Sequence, residues 1–162
     1  MKVNLISAEE AIFRMQTRPG ELGGFDTIID ARSEDEYALD HLPHAVNWPS
    51  LHNAERITVG TMYKQLGSFE AQKLGASLVA ANIAKHIQNH VLTLPKHWQP
   101  LIYCWRGGKR SGSLALVLSQ IGFKISLIEG GYKAFRAAML TDIAQRSEEH
   151  TSELQSQFRI SY

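Results

Sequence analysis

Apolar and polar positions along this chain switch repeatedly between a period of two and a period near 3.6, and the switches mark out strands and helices. Ser7-Ala8-Glu9-Glu10 precedes Ala11, Ile12 and Met15, so Ser7 reads as the N-cap of a short helix with Glu10 at the capping-box position. Pro19-Gly20 and Gly23-Gly24 break that helix. Phe25-Asp26-Thr27-Ile28-Ile29 reads as a buried strand ending at Asp30-Ala31-Arg32, and Ser33 caps a helix carrying Glu36, Tyr37 and Leu39. Ala45-Val46-Asn47 is a short strand stopped by Trp48-Pro49. Residues 50–67 are polar and read as a loop.

From Ser68 to about Asn89, Leu74, Leu78 and Ala81 recur at helical spacing with Ile83 and Ile87 beside them, which predicts a long amphipathic helix. Pro95 and Pro100 bracket a loop, and Leu101-Ile102-Tyr103 form a strand. Gly112 to Ile121 reads as a helix with Gly122 as its C-terminal cap. Lys124 to Ile128 is the last strand, and Gly130-Gly131 turns into a helix from Tyr132 to about Leu140. Strands alternating with helices predict an α/β fold with a central parallel sheet covered by helices on both faces.

The pattern stops near Gln145. Residues 146–162, beginning Arg146-Ser147-Glu148-Glu149-His150-Thr151, have no periodicity that would give a core face, and they resemble the in-frame translation of a short-read sequencing adapter. The expected organisation is therefore one domain over 1–140, the start of a linker over 141–145, and a non-native, loosely packed tail over 146–162. The chain has 162 residues, 44% of them hydrophobic and 20% charged, enough for one ordinary core. No apolar run approaches the roughly 18 residues of a membrane span, so no membrane partner is expected. The N-terminus lacks the apolar core of a signal peptide, and one cysteine excludes an internal disulfide, which together fit a cytoplasmic location. A net charge of +1 excludes a globally basic surface, so any nucleic-acid contact must be a local patch.

The only cysteine, Cys104, follows the Leu101–Tyr103 strand and opens the run Trp105-Arg106-Gly107-Gly108-Lys109-Arg110-Ser111. A thiolate is the nucleophilic form of cysteine, and loop amides, a helix N-terminus and neighbouring cations all favour the anion. The same amides are placed to cradle an oxyanion. A buried structural cysteine needs none of these neighbours, so Cys104 is the candidate nucleophile. Asp30 and Arg32, at the carboxyl end of another strand, form a candidate ion pair ordering the loops around it. His41 and His44 lie in a turn without metal-ligand spacing, so no metal site is expected. Trp105, a large aromatic in the loop, is expected at the mouth of the site.

Read in order, Asp30-Ala31-Arg32, Glu36-Tyr37, His41-Leu42-Pro43 with Ala45, Asn47 and Pro49, the Cys104 loop, and Glu129-Gly130-Gly131-Tyr132 resemble the rhodanese pattern. More narrowly, the chain resembles the N-terminal domain of the bacterial tRNA 2-selenouridine synthase family. The discriminating segments are Asn53-Ala54-Glu55-Arg56, then Val59-Gly60-Thr61 with Tyr63-Lys64-Gln65 and Gly67, the whole Cys104–Ser111 loop, and Glu129 to Ala134.

That resemblance implies an enzyme that replaces sulfur by selenium at the 2-position of the wobble uridine of certain tRNAs. Selenophosphate is the donor, geranyl diphosphate a further co-substrate through an S-geranylated intermediate, and no cofactor is bound to this domain. Cys104 would be the essential nucleophile, carrying the chalcogen as a persulfide or its selenium counterpart, with the amides from Trp105 to Ser111, including Gly107 and Gly108, around the anion. Arg106, Lys109 and Arg110 would hold a phosphate group or the tRNA backbone, and Arg56 and Lys64 would contact substrate. The family carries a P-loop domain after the last helix, and no GxxxxGKS or GxxxxGKT run occurs here, so that domain is expected to be missing. Two other readings stay open. Cys104-x5-Arg110 also fits the phosphate loop of cysteine phosphatases, some of which share the rhodanese fold, and the domain could serve as a non-catalytic tRNA- or partner-binding module.

Overall fold

The computed structural model describes residues 3–160. Met1 and Lys2, at the start of the segment read as lacking a signal peptide, and Ser161 and Tyr162, at the end of the adapter-like tail, lie outside the described residues. Five strands, β1 (Val3–Ile6), β2 (Thr27–Asp30), β3 (Val46–Asn47), β4 (Pro100–Tyr103) and β5 (Ile125–Ile128), form one sheet in the order β1-β5-β4-β2-β3, every pair parallel. Among the described residues six α-helices accompany them: α1 (Ala8–Thr17), α2 (Glu34–Leu39), α3 (Asn53–Leu66), α4 (Ser68–His86), α5 (Lys109–Ile121) and α6 (Gly131–Ile160). Among the described residues no helix is long and apolar enough to cross a membrane.

Alternation along the strands divides the core into two. Ile28, Leu101, Tyr103 and Ile128 face one side and pack with Ala11 and Ile12 of α1 and Phe135 of α6. Ile29, Ile102 and Ile125 face the other and pack with Ile83 of α4 and Leu114 and Leu118 of α5. All four residues of β4 are buried, as expected of a central parallel strand covered on both faces. Its carboxyl end, where Cys104 follows, therefore opens at the middle of the sheet, beside the end of β2 at Asp30.

Four sequence expectations need correction. Residues 50–67 are not a loop. They hold α3, begun where Glu55 accepts from the His52 amide at 2.9 Å and stopped by Gly67 at φ +92°. No residue of α3 is buried, so its sequence lacks the apolar stripe by which a helix is recognised. Helix α5 starts at Lys109, three residues before Gly112, with Gly108 as N-cap. The third is an omission: no element is expected before Ser7, yet β1 lies there, a four-residue edge strand whose exposed Asn4 and Leu5 give no periodic signal.

The fourth correction concerns the last helix, which does not end at Leu140 but runs to Ile160. Extending a helix already nucleated needs only residues of fair propensity, and Glu, Gln and Arg supply them. Every residue from Ile143 to Thr151 is exposed. The tail is helical in backbone without being packed there.

Candidate active site

Cys104 is 2% exposed and its Sγ lies 3.0 Å from Oγ of Ser111. The loop between them runs from the end of β4 into the first turn of α5, so Lys109, Arg110 and Ser111 are helical residues and Arg106, Gly107 and Gly108 form the exposed turn. Ser111 is buried and its hydroxyl also reaches the Gly108 carbonyl at 3.4 Å. The thiol thus sits at the mouth of a helix N-terminus, where amide N–H groups point outward and favour negative charge.

The loop is seated against the start of α6. The amide of Tyr132 donates to the Cys104 carbonyl at 2.8 Å, and that of Lys133 to the Trp105 carbonyl at 2.9 Å. Gly131 makes this approach possible: at φ +65°, a Cβ there would stand 2.5 Å from the Cys104 carbonyl oxygen and 2.6 Å from that of Trp105. At Gly107, with φ +74°, an added Cβ would stand 3.3 Å from the Gly130 amide nitrogen. Trp105 does not stand free in the mouth. Its half-buried ring tilts against Tyr132, centroids 6.2 Å apart, and packs on the first core.

Asp30 and Arg32 form a buried ion pair. Arg32 donates from Nε to both carboxylate oxygens at 3.1 and 3.2 Å and from Nη2 at 2.8 Å. Its Nη2 also donates to the Asp40 carbonyl at 2.6 Å, and the guanidinium lies 4.5 Å over the Tyr132 ring. Tyr103 completes the network, donating to Asp30 at 2.8 Å and accepting from the Leu42 amide at 3.0 Å. Burial pushes the Tyr103 phenol well above its ordinary range, and the Asp30 charge pushes the same way. The β2–α2 loop, the turn at Leu42 and the α6 start are thereby tied to the strand that carries Cys104.

The cations divide into two groups. Arg106 is exposed on the loop, Lys109 on the first turn of α5 and Lys64 on α3, and among the described residues no hydrogen bond or ion pair joins Lys64 to the loop. Arg110 and Arg56, by contrast, converge on Glu36. Arg110 Nη1 donates to Glu36 Oε1 at 2.6 Å and Nη2 reaches Oε2 at 3.4 Å, while Arg56 Nη1 lies 3.4 Å from Oε1. The amide and hydroxyl of Ser33 donate to the same oxygen at 3.2 and 2.9 Å. Burial alone would raise the Glu36 carboxyl, but Arg110 and then Ser33 outweigh it and hold it at about 2.

Arg110 is fixed from behind as well: Ser50 Oγ donates to its carbonyl at 2.7 Å, and the buried Asn82 donates to the Ser50 carbonyl at 3.0 Å. A groove of about 1170 Å³ between α3, α4 and α5 is bordered by Arg56, Lys109 and Arg110 and lined by apolar side chains including Val59, Val79 and Ile83.

The sequence alone marks Glu36 only as part of a pattern and does not point to Tyr103, Ser50 or Asn82 as site residues. Glu36 had a signal, an acidic residue in the first turn of a helix beginning just past Asp30-Ala31-Arg32. Ser50 and Asn82 had none, because their partners are backbone carbonyls and a side chain remote in sequence.

The chain is 39% identical over 125 residues to the tRNA 2-selenouridine synthase of Nitrosomonas eutropha, covering 76% of this chain and 32% of that protein. To the enzyme of the same name from Proteus mirabilis it is 41% identical over 123 residues, 74% of this chain and 34% of that protein. It thus spans about a third of the length of these curated relatives. The crystal structure of the N-terminal domain of a putative ATP/GTP binding protein from Clostridium difficile superposes with a TM-score of 0.65 at 36% identity, covering 85% of this chain and 99% of that one. A protein from Lactobacillus plantarum shares the fold at a TM-score of 0.51 and 17% identity. A rhodanese-like domain matches residues 14–138, a span that takes in the Asp30–Arg32 pair, the Cys104 loop and the glycines that seat it, and the chain belongs to the rhodanese-like domain family.

Proposed function

We propose that this chain is the chalcogen-handling domain of a tRNA-modifying enzyme that replaces sulfur by selenium at wobble 2-thiouridine, with Cys104 as its nucleophile. The observation that carries the reading is the placement of the one thiol at a helix N-terminus, 3.0 Å from Ser111 Oγ, in a loop whose backbone is pinned to α6. Names of relatives that match three quarters of the chain support tRNA as the substrate. Selenophosphate as donor, geranyl diphosphate as co-substrate, a P-loop domain in the longer protein and a cytoplasmic setting belong to the same proposal. Exposed Arg106 and Lys109 are free to meet a phosphate of donor or tRNA, whereas Arg110 and Arg56 are already engaged by Glu36.

With a sulfane donor such as thiosulfate, the Cys104 thiolate takes the outer sulfur. The Cys104 S–S bond forms, the donor's S–S bond breaks, and sulfite leaves with the electron pair. Intact-mass measurement after thiosulfate treatment should therefore show one added sulfur, absent in Cys104→Ser. The spacing Cys104-x5-Arg110 favours a second reading, a cysteine phosphatase. Turnover of an aryl phosphate that disappears in Cys104→Ser, without sulfur loading, would establish that reading instead.

A further inference from the structure

Glu36 is 16% exposed and anionic across the physiological range, and it occupies a cradle of the kind that binds phosphate: two guanidinium groups, a serine hydroxyl and a backbone amide, all converging on Oε1. The cradle belongs to the nucleophile's loop, because Arg110 immediately precedes Ser111, whose hydroxyl touches Cys104 Sγ. In a cysteine phosphatase, the arginine at this spacing exists to hold the substrate's oxyanion. Here its guanidinium is spent on a carboxylate of the same chain.

We propose that Glu36 is a specificity-determining residue that acts as an internal anion: by holding Arg110 on α2 it lowers the affinity of the Cys104 loop for tetrahedral oxyanions. The inference rests on the reading of Cys104 as a chalcogen-handling nucleophile and deepens it. A loop that bound phosphate tightly would be blocked by the phosphate released from its own donor and by that of the surrounding solution. A guanidinium already paired gives an incoming oxyanion only the net difference between two charge-assisted hydrogen bonds, not the whole of one. The Arg110 side chain is partly exposed, 21% accessible, so the exchange from Glu36 to an oxyanion calls for side-chain rotation and no refolding. Arg56, on α3, shares the carboxylate and holds it in place when Arg110 leaves.

The test compares the full chain with Glu36→Gln, which keeps the shape and the acceptor oxygen but removes the charge. Calorimetric titration with inorganic phosphate should show binding about tenfold tighter in Glu36→Gln, the size expected for one charged partner released. Arg110→Met should lose that gain, so that the double variant Glu36→Gln/Arg110→Met binds phosphate no better than Arg110→Met. Phosphate should also slow thiosulfate loading of Cys104 at lower concentration in Glu36→Gln than in the parent. Glu36→Asp retains the charge on a shorter arm and should fall between the two, which keeps the proposal testable if Glu36→Gln folds poorly. Equal phosphate affinity in parent and Glu36→Gln, with sulfur loading intact, would overturn the role of Glu36 and leave the reading of Cys104 standing. Failure of the parent to load sulfur would sink that reading, while the phosphate titrations would still decide the role of Glu36.

Discussion

Tyr132 donates its amide to the carbonyl of Cys104 across 2.8 Å, so the residue that carries the thiol and the first turn of the last helix are joined backbone to backbone. Only a residue without Cβ fits at Gly131, between them. Gly131→Ala would place a methyl carbon inside the contact distance of two carbonyl oxygens and an amide nitrogen, and the atoms that must give way are all backbone. We expect it to cost several kcal/mol, on the order of 3 or more, and to lower Tm by about 2–4 °C for each. Thermal unfolding followed by circular dichroism measures this, and sulfur loading of Cys104 should fall with it because the loop amides move.

Tyr103 serves two partners at once, and Tyr103→Phe would strand the Leu42 amide. The Leu42 amide is buried with no other acceptor nearby among the described residues, and Asp30 loses one of its donors. A buried donor left unpaired costs about 1–3 kcal/mol. Urea unfolding should show that loss with an unchanged slope. A Tyr103→Phe protein as stable as its parent would mean that the Asp30–Arg32 pair does not depend on the phenol.

The α/β alternation and the position of Cys104 were legible because β2, β4 and β5 are buried on both faces and read as apolar runs closed by turn residues. What was hidden has a common physical cause. Helix α3 has no buried residue, β1 is an edge with half its residues in solvent, and α6 runs on past Phe135 into exposed positions, so none of them writes a core face into the sequence. At the site, the loop was readable because its residues are contiguous. The Glu36–Arg110 pair was not, since it joins residues 74 apart, and a basic residue after a nucleophile reads as a substrate contact until its partner is seen.

The same pair sets a pH dependence. The Glu36 carboxyl titrates at about 2 in the fold against 4.5 in its absence, because Arg110 and Ser33 overcome the opposing effect of burial. Between those values the unfolded chain binds the proton and the folded chain does not, so stability rises with pH there. The contribution is complete above about 4.5 and is lost as the pH falls toward about 2, up to about 3 kcal/mol in all. Chemical denaturation across that window should show a shallower fall for Glu36→Gln than for the parent. Parallel curves would argue that the carboxylate is not held by these partners in solution.

As far as Thr151, helix α6 packs on the fold mainly through its first turns. Tyr132 and Phe135 are buried in the core, Gln16 of α1 donates to Asp142 at 2.9 Å, and everything from Ile143 to Thr151 is exposed. The Arg146–Asp142 pair at 3.2 Å is a surface i,i+4 contact, worth at most a few tenths of a kcal/mol, about 0.3–0.5. Ending the chain after Gln145 should therefore shift Tm by no more than about 2 °C. A larger drop would show that the tail packs on the domain.

Ser111 offers the sharpest separation of chemistry from stability at the site. Its hydroxyl is fully buried, 3.0 Å from Cys104 Sγ, and its second contact, to Gly108, is a long one at 3.4 Å. Removing the hydroxyl takes away a donor to the thiolate and leaves the loop backbone, which is pinned independently through Tyr132 and Lys133. One hydrogen bond to a charged group is worth about 1.5–3 kcal/mol, so Ser111→Ala should slow sulfur transfer to Cys104 by about tenfold or more. Stability should change by less than about 1 kcal/mol, because the vacated volume is one oxygen atom and no buried amide is stranded. Stopped reactions with thiosulfate, read by intact mass against time, give the rate, and Cys104→Ser fixes the zero. Loading as fast in Ser111→Ala as in the parent would mean that the loop amides alone hold the thiolate, and that the serine is there to pack the first turn of α5.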